Sequence, residues 1–251
     1  MQLANYISKN TLKRVVKVTG IVLMCLCLAY ITFKISKSRD FQFFGGIVKS
    51  VDTDDKVIAL TFDDGPNHNT DKIIEILGDL NVKATFYVTG REVKENMSEA
   101  EKLVKAGHEL GNHSYSHQKM IFKTPWFVKN EIDKTNQLIK QAGYQGEIHF
   151  RPPYFKKLLF LPHYLAKNNI NTILCDIEPE TELGFKANAE QLSNYTIKHT
   201  KEGSIILLHI MYESRSEALK ALPKIVNGLR EKGFNFVTVS ELFKGSKKNN
   251  N

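Results

Sequence analysis

The chain has 251 residues, enough to bury one substantial core, and α/β barrels of about this size commonly form a single domain. Lys and Arg outnumber Asp and Glu by 35 to 27, with modest basic concentrations at both ends. No basic stripe interleaved with aromatics marks a nucleic-acid partner, so the excess fits flanks beside a membrane and a solvated surface.

Residues 1–17 form a basic flank carrying Lys9, Lys13, Arg14 and Lys17, after which Val18 to Phe33 runs 16 residues without a charge. That is shorter than the roughly 20 residues that cross a bilayer core. Ile35 and the stems of Lys17 and Lys34 extend it, so residues 18–35 are expected to be a transmembrane signal anchor. The protein is then expected to be a single-pass component of the cytoplasmic membrane, with its N-terminus in the cytoplasm and the main domain outside. A secreted or periplasmic product would need cleavage after Cys27-Leu28-Ala29, yet the apolar run continues through Tyr30, Ile31 and Phe33. Basic residues at both ends argue against a buried helix of a soluble protein. Cys25 and Cys27 fall in this segment and Cys175 stands alone, so no disulfide forms within the main domain, and the compartment stays open on that count.

Periodicity fades over residues 36–55, which reads as a linker with one short strand candidate around Phe41–Val48. Beyond it, β-branched and aromatic runs predict strands at Val57–Phe62, Ala84–Thr89, Glu109–His113, Ile148–Arg151, Thr172–Asp176, Ser204–His209 and Asn235–Val239. Between them, helical spacing covers Asp71–Leu80, Ser98–Ala106, Pro125–Ala142, Leu158–Lys167, Asn188–His199 and Ser216–Glu231. Seven strands alternating with helices predict an α/β fold: a distorted (β/α) barrel of parallel strands filling residues 56–244, with a polar, disordered tail at 245–251.

In such a fold the C-terminal strand ends share one mouth, and here they carry Asp63-Asp64, His113, Arg151, Asp176 and His209. His113 and His117 are four positions apart and would share a face if the segment turned helically. Two imidazoles and a carboxylate can hold a divalent ion while leaving positions open. Adjacent acids point different ways, so one of Asp63 and Asp64 can ligate an ion while the other holds or deprotonates water. His68, His108, His149, His163 and His199 have no partner at ligand spacing and read as structural or solvated.

Thr61-Phe62-Asp63-Asp64-Gly65-Pro66, the His113–His117 segment, Arg151-Pro152-Pro153-Tyr154 and Leu207-Leu208-His209 occur in the order found in polysaccharide deacetylases, the family-four carbohydrate esterases. The resemblance runs from about Lys56 to Leu242. It implies a metal-dependent hydrolase of linear amides that removes acetyl groups from N-acetylhexosamine units of a glycan such as peptidoglycan or a chitooligosaccharide. By resemblance Asp63 is the general base, Asp64, His113 and His117 hold the metal, and Arg151 orients the base. Tyr154 contributes its backbone amide to an oxyanion hole, His209 is the general acid, and Leu207 lines the acetyl pocket. The implied ion is Zn²⁺ first, with Co²⁺, Mn²⁺, Ni²⁺ or Fe²⁺ as alternatives. Expected partners are the glycan and the membrane, with neither nucleic acid nor an obligate protein partner.

Two departures bear on substrate choice. Phe155 stands where many family members carry glycine, and the fourth motif lacks its tryptophan, reading Cys175-Asp176-Ile177-Glu178-Pro179-Glu180. Asp176 is the expected substrate-side acid, and Asp176, Glu178 or Glu180 is expected to pair with Arg151. Competing readings are a glycan-binding module with lapsed catalysis, a deacetylase of a lipid-linked sugar, and an iron oxygenase, which would leave Asp63, Arg151 and His209 unused.

Overall fold

The structure, a computed structural model, describes residues 9–184 and 186–245, so most of the tail lies outside the described residues. Its elements are α1 (Lys9–Ser36), β1 (Ile47–Val48), β2 (Val57–Asp63), α2 (Thr70–Asp79), β3 (Thr85–Val88), α3 (Gly90–Glu95), α4 (Met97–Lys105) and β4 (Glu109–Asn112). They continue as α5 (Pro125–Gln141), α6 (Phe160–Lys167), β5 (Thr172–Ile173), α7 (Pro179–Leu183), α8 (Ala189–His199), β6 (Ile205–Leu208), α9 (Ser216–Glu231), β7 (Asn235–Val237) and α10 (Val239–Lys244).

Parallel pairing gives the order β4-β3-β2-β6, with β7 also on β2 and a separate β1-β5 pair. Strand β2 is buried along nearly its whole length, as expected of a parallel strand covered on both faces. Its side chains alternate in destination. Ile58, Leu60 and Phe62 join Phe86, Leu110, Ile206 and Leu208 in a core completed by Ile225 and Leu229 of α9. Ala59 faces the interior with Tyr87, Ile205 and Leu207.

Helix starts follow local chemistry. Thr124 accepts from the Phe127 amide ahead of Pro125, and capping boxes Asn188/Gln191 and Thr238/Glu241 open α8 and α10.

The parallel α/β class agrees with expectation, but the seven strands do not form one continuous ladder. Predicted strand Ile148–Arg151 is reduced to Phe150, which bridges Asn112 on one side and Thr172 on the other, while Ile177 bridges Ile206. Pro152 and Pro153 follow at once and supply no amide donors to prolong a ladder.

The stretch read as a linker is also part of the folded domain. Val51 is buried and its amide donates to Gly203 O at 2.8 Å, β1 pairs with β5, and the Lys157 amide donates to Ser36 O at 3.0 Å. From Thr11 to Ser36, α1 runs 26 residues and contains an 18-residue stretch of mean hydropathy 2.2, none of it buried against the domain. It is long and apolar enough to cross a membrane.

Candidate active site

The ends of β2, β4 and β6 and the turn after Phe150 converge on a cavity of about 450 Å³. Asp63 is the last residue of β2, and its carboxylate shares the inward face with Thr61 two positions earlier. Behind them lies Arg151, fully buried, whose Nη1 donates to Asp63 Oδ1 at 2.7 Å and to Thr61 Oγ1 at 2.8 Å, while Nη2 donates to Leu174 O at 3.0 Å. Its guanidinium carbon lies 4.0 Å from the centre of the Tyr87 ring. Gly111 makes room for that ring, because a Cβ there would sit 2.5 Å from it. Burial alone would favour protonated Asp63, but Arg151, His113 and His209 together hold the carboxyl below its ordinary value.

Asp64 turns the other way because its backbone is left-handed at φ 74°. Burial and the adjacent Asp63 charge push its carboxyl up, against the opposing pull of His117. It meets the two histidines: one ligand atom from each of Asp64, His113 and His117 lies within 4.8 Å of the others, and His117 Nε2 is 3.5 Å from Asp64 Oδ1.

The His113–His117 segment is a tight turn and not a helix, with Ser114 at φ 65° and His117 at φ 54°. Buried side chains hold it. Asn112 Oδ1 accepts from the Ser114 amide at 2.8 Å, and Glu131 accepts from the Ser116 amide at 2.8 Å and from its hydroxyl at 2.9 Å. His113 Nδ1 sits 2.7 Å from Arg151 O, an acceptor, so Nδ1 carries the proton and Nε2 presents its lone pair toward the cavity. Burial lowers the His113 pKa to about 4, keeping the ring neutral, as ligation requires. This donor set, three atoms with the rest of the coordination sphere open, fits a divalent ion that must also accept substrate.

On the opposite wall His209 follows β6. Glu180 Oε2 accepts from its amide at 2.7 Å and lies 3.1 Å from Nδ1. Burial alone would lower the pKa of this imidazole, but the Glu180 hydrogen bond and the charges of Asp63, Glu180 and Asp64 raise it to about 9. Leu207 is buried in β6 beneath His209, and Tyr154 sits at the rim in a left-handed conformation (φ 56°) with its ring centre 4.8 Å from that of His117.

The structure thus brings together Asp63, Asp64, His113, His117, Arg151, Tyr154, Leu207 and His209. It does not bring Asp176 to them. That carboxylate accepts from Ser204 Oγ and the Ile205 amide, both at 2.8 Å, and lies off the cavity wall, because its strand position ties it to the start of β6. Nor does any of the three expected acids pair with Arg151: Asp63 does, while Glu178 pairs with Arg39 and Glu180 with His209. Sequence reasoning missed Thr61, legible from strand period, and Arg39, which no local signal connects to the site.

The polysaccharide deacetylase family model matches residues 50–167. A peptidoglycan-N-acetylglucosamine deacetylase of Bacillus cereus is 30% identical over 209 residues, covering 82% of this chain and 97% of that protein. The chain belongs to the polysaccharide deacetylase family. A bifunctional xylanase/deacetylase of Pseudobutyrivibrio xylanivorans is 37% identical over 75% of this chain, which spans 30% of that longer protein. Among solved structures, the Bc1960 peptidoglycan N-acetylglucosamine deacetylase superposes with a TM-score of 0.74 at 28% identity, over 80% of this chain and 94% of the other. Membership carries the family's activity, hydrolysis of an amide to deacetylate a glycan.

Proposed function

We propose that the protein deacetylates N-acetylhexosamine units of peptidoglycan or a related polymer outside the cytoplasmic membrane, to which α1 holds it as a single-pass anchor. The observation that carries this reading is the separation of labour around the cavity. One carboxylate and two imidazoles converge for an ion, a second carboxylate is paired with a buried arginine, and an imidazole backed by Glu180 faces them. The two sheets, joined by bridges at Phe150 and Ile177, are read together as one distorted barrel carrying these groups.

Asp64, His113 and His117 would hold the ion, with zinc the preferred identity. Bound there, a divalent cation supplies Lewis acidity, polarising the acetyl carbonyl and making water a competent nucleophile near neutral pH. Asp63 Oδ2, the oxygen not engaged by Arg151, accepts the proton from the attacking water. Arg151 keeps that carboxylate oriented and charged. His209, protonated through Glu180, delivers a proton to the departing amine, so that the sugar leaves as a neutral amine before its own protonation. The Tyr154 amide donates toward the developing oxyanion, and Leu207 accommodates the acetyl methyl group. The missing tryptophan does not leave the proton donor unsupported, because Glu180 serves it; this weighs against a lapsed binding module.

Acetate release from chitooligosaccharides and peptidoglycan fragments tests the reading. A chelator is expected to abolish release, and Zn²⁺ or Co²⁺ to restore it. Release that survives verified metal removal would overturn the ion's assignment, and glycan binding without release by the metal-loaded chain would overturn the reaction.

A further inference from the structure

The catalytic cavity has a wall residue delivered by the segment that follows α1. Arg39 lies three positions past Ser36, the end of the helix, and lines the cavity. Its guanidinium forms an ion pair with Glu178 and lies 4.7 Å from the centre of the Phe155 ring. The helix end is itself clamped to the loop after Tyr154. Ser36 is 3% exposed, its carbonyl accepts from the Lys157 amide at 3.0 Å, and Lys157 Nζ donates to Ser38 O at 2.5 Å.

Three extended residues span at most about 11 Å, and the headgroup layer on each side of a bilayer is roughly 5–8 Å deep. With Phe33 ending the apolar run, the cavity wall therefore sits at or just above headgroup level. The surface between the helix exit and the cavity rim suits that place. The Lys37 and Lys156 ammonium groups lie 4.4 and 4.9 Å from the Phe33 ring, and that of Lys119 lies 5.5 Å from the Tyr154 ring. Among the described residues none of these lysines forms an ion pair. Partial burial, Lys37 and Lys119 all lower the Lys156 pKa, which places the three charges in one field. Next to the exit, Phe41, Phe43 and Phe44 are 48%, 44% and 42% exposed, an apolar patch continuous in sequence with the membrane-long helix.

We propose that this site takes its acetamido sugar from a glycan linked through phosphate to a membrane lipid, with Lys37, Lys119 and Lys156 facing the phosphate and Arg39 completing the sugar site. This rests on the deacetylase reading and on α1 remaining as the anchor. A sugar presented at headgroup level is within a unit or two of its lipid, whereas the outer strands of a mature polymer lie beyond reach.

The test uses the full chain, metal-loaded, in phosphatidylcholine/phosphatidylglycerol vesicles. It is offered soluble chitotetraose or a polyprenyl-pyrophosphoryl N-acetylglucosamine disaccharide embedded in the same vesicles. A variant with 20 Gly/Ser residues inserted between Ile35 and Ser36 leaves the 18–35 anchor whole and keeps Arg39 and the lysines on the domain but lets it float about 25 Å away. The insertion is expected to lower kcat/KM on the lipid-linked sugar roughly tenfold and to leave chitotetraose within about twofold. Replacing the lysines together (Lys37→Gln, Lys119→Gln, Lys156→Gln) is expected to raise KM on the lipid-linked sugar with kcat little changed. An unchanged ratio of the two substrates after insertion, or a preference of the intact chain for chitotetraose, overturns the inference and spares the deacetylase reading. Failure of the intact chain on both substrates removes that reading, and this inference with it.

Discussion

His113 and His209 stand at the ends of β4 and β6, on opposite sides of the same cavity and in the field of the same Asp63, yet their proton affinities part in opposite directions. Burial takes His113 down to about 4 even against the charge of Asp63. His209 is also buried, but the Glu180 hydrogen bond at 3.1 Å and the charges of Asp63, Glu180 and Asp64 together outweigh desolvation and lift it to about 9. A carbonyl oxygen behind one ring and a carboxylate behind the other leave the first neutral and favour a proton on the second. Residue type at a strand end thus specifies little until the group behind it is known.

The largest effect is expected where the two sides meet, at Asp63. Asp63→Asn keeps the shape but removes the proposed proton acceptor, and kcat for acetate release should fall by roughly 10²–10⁴-fold. It also leaves Arg151 buried without its counter-ion, for which about 3–5 kcal/mol of destabilisation is expected in chemical denaturation. Kinetics must therefore be read where the variant is shown folded. A variant retaining full turnover would refute the assignment of Asp63.

Glu180→Gln comes next, since it should make His209 behave more like His113. The raised pKa means that the stabilisation from this pair is fully present below about 6.5 and is lost as pH climbs toward 9. The same proton is the one proposed for the leaving amine, so activity should fade through pH 9 in the parent chain. In the variant that alkaline limb should move toward 6.5, with roughly tenfold less activity at pH 7.5 and little change at pH 6. An alkaline limb fixed near 9 would show that another group sets it.

How far these roles were legible before the structure depends on whether their cause is local. Asp63, His113 and His209 were visible because strand ends bounded by buried runs announce themselves, and Asp64 because an adjacent pair must diverge. Arg151 was expected to orient Asp63 and does so from behind the cavity wall, but the further acid sought for it among Asp176, Glu178 and Glu180 is not there, since these three are close in sequence and only the turn into α7 decides where each points. Arg39 lay in a stretch with no period to read, because β1 is two residues long and the rest of the segment is held by single contacts. Helices α3, α7 and α10, of five or six residues, are too short for an apolar stripe to show. Phe150 reads as strand by composition, but the two prolines after Arg151 stop the ladder.

The smallest effect is expected at Asp176, the acid that sequence order favoured and geometry removes. Its two oxygens accept from Ser204 Oγ and the Ile205 amide at the base of β6, away from His209 at the other end of that strand. Asp176→Ala should therefore cost stability, about 1–3 kcal/mol for the donors left without partners, seen as a lower denaturation midpoint. KM for N-acetylated glycans and the pH profile should stay near those of the parent chain, because the proton on His209 is governed by Glu180. A rise in KM with an unchanged midpoint would instead put Asp176 in the substrate groove. It would also mean that the segment leading into α7 rearranges when glycan binds, releasing from β6 the carboxylate that now holds it.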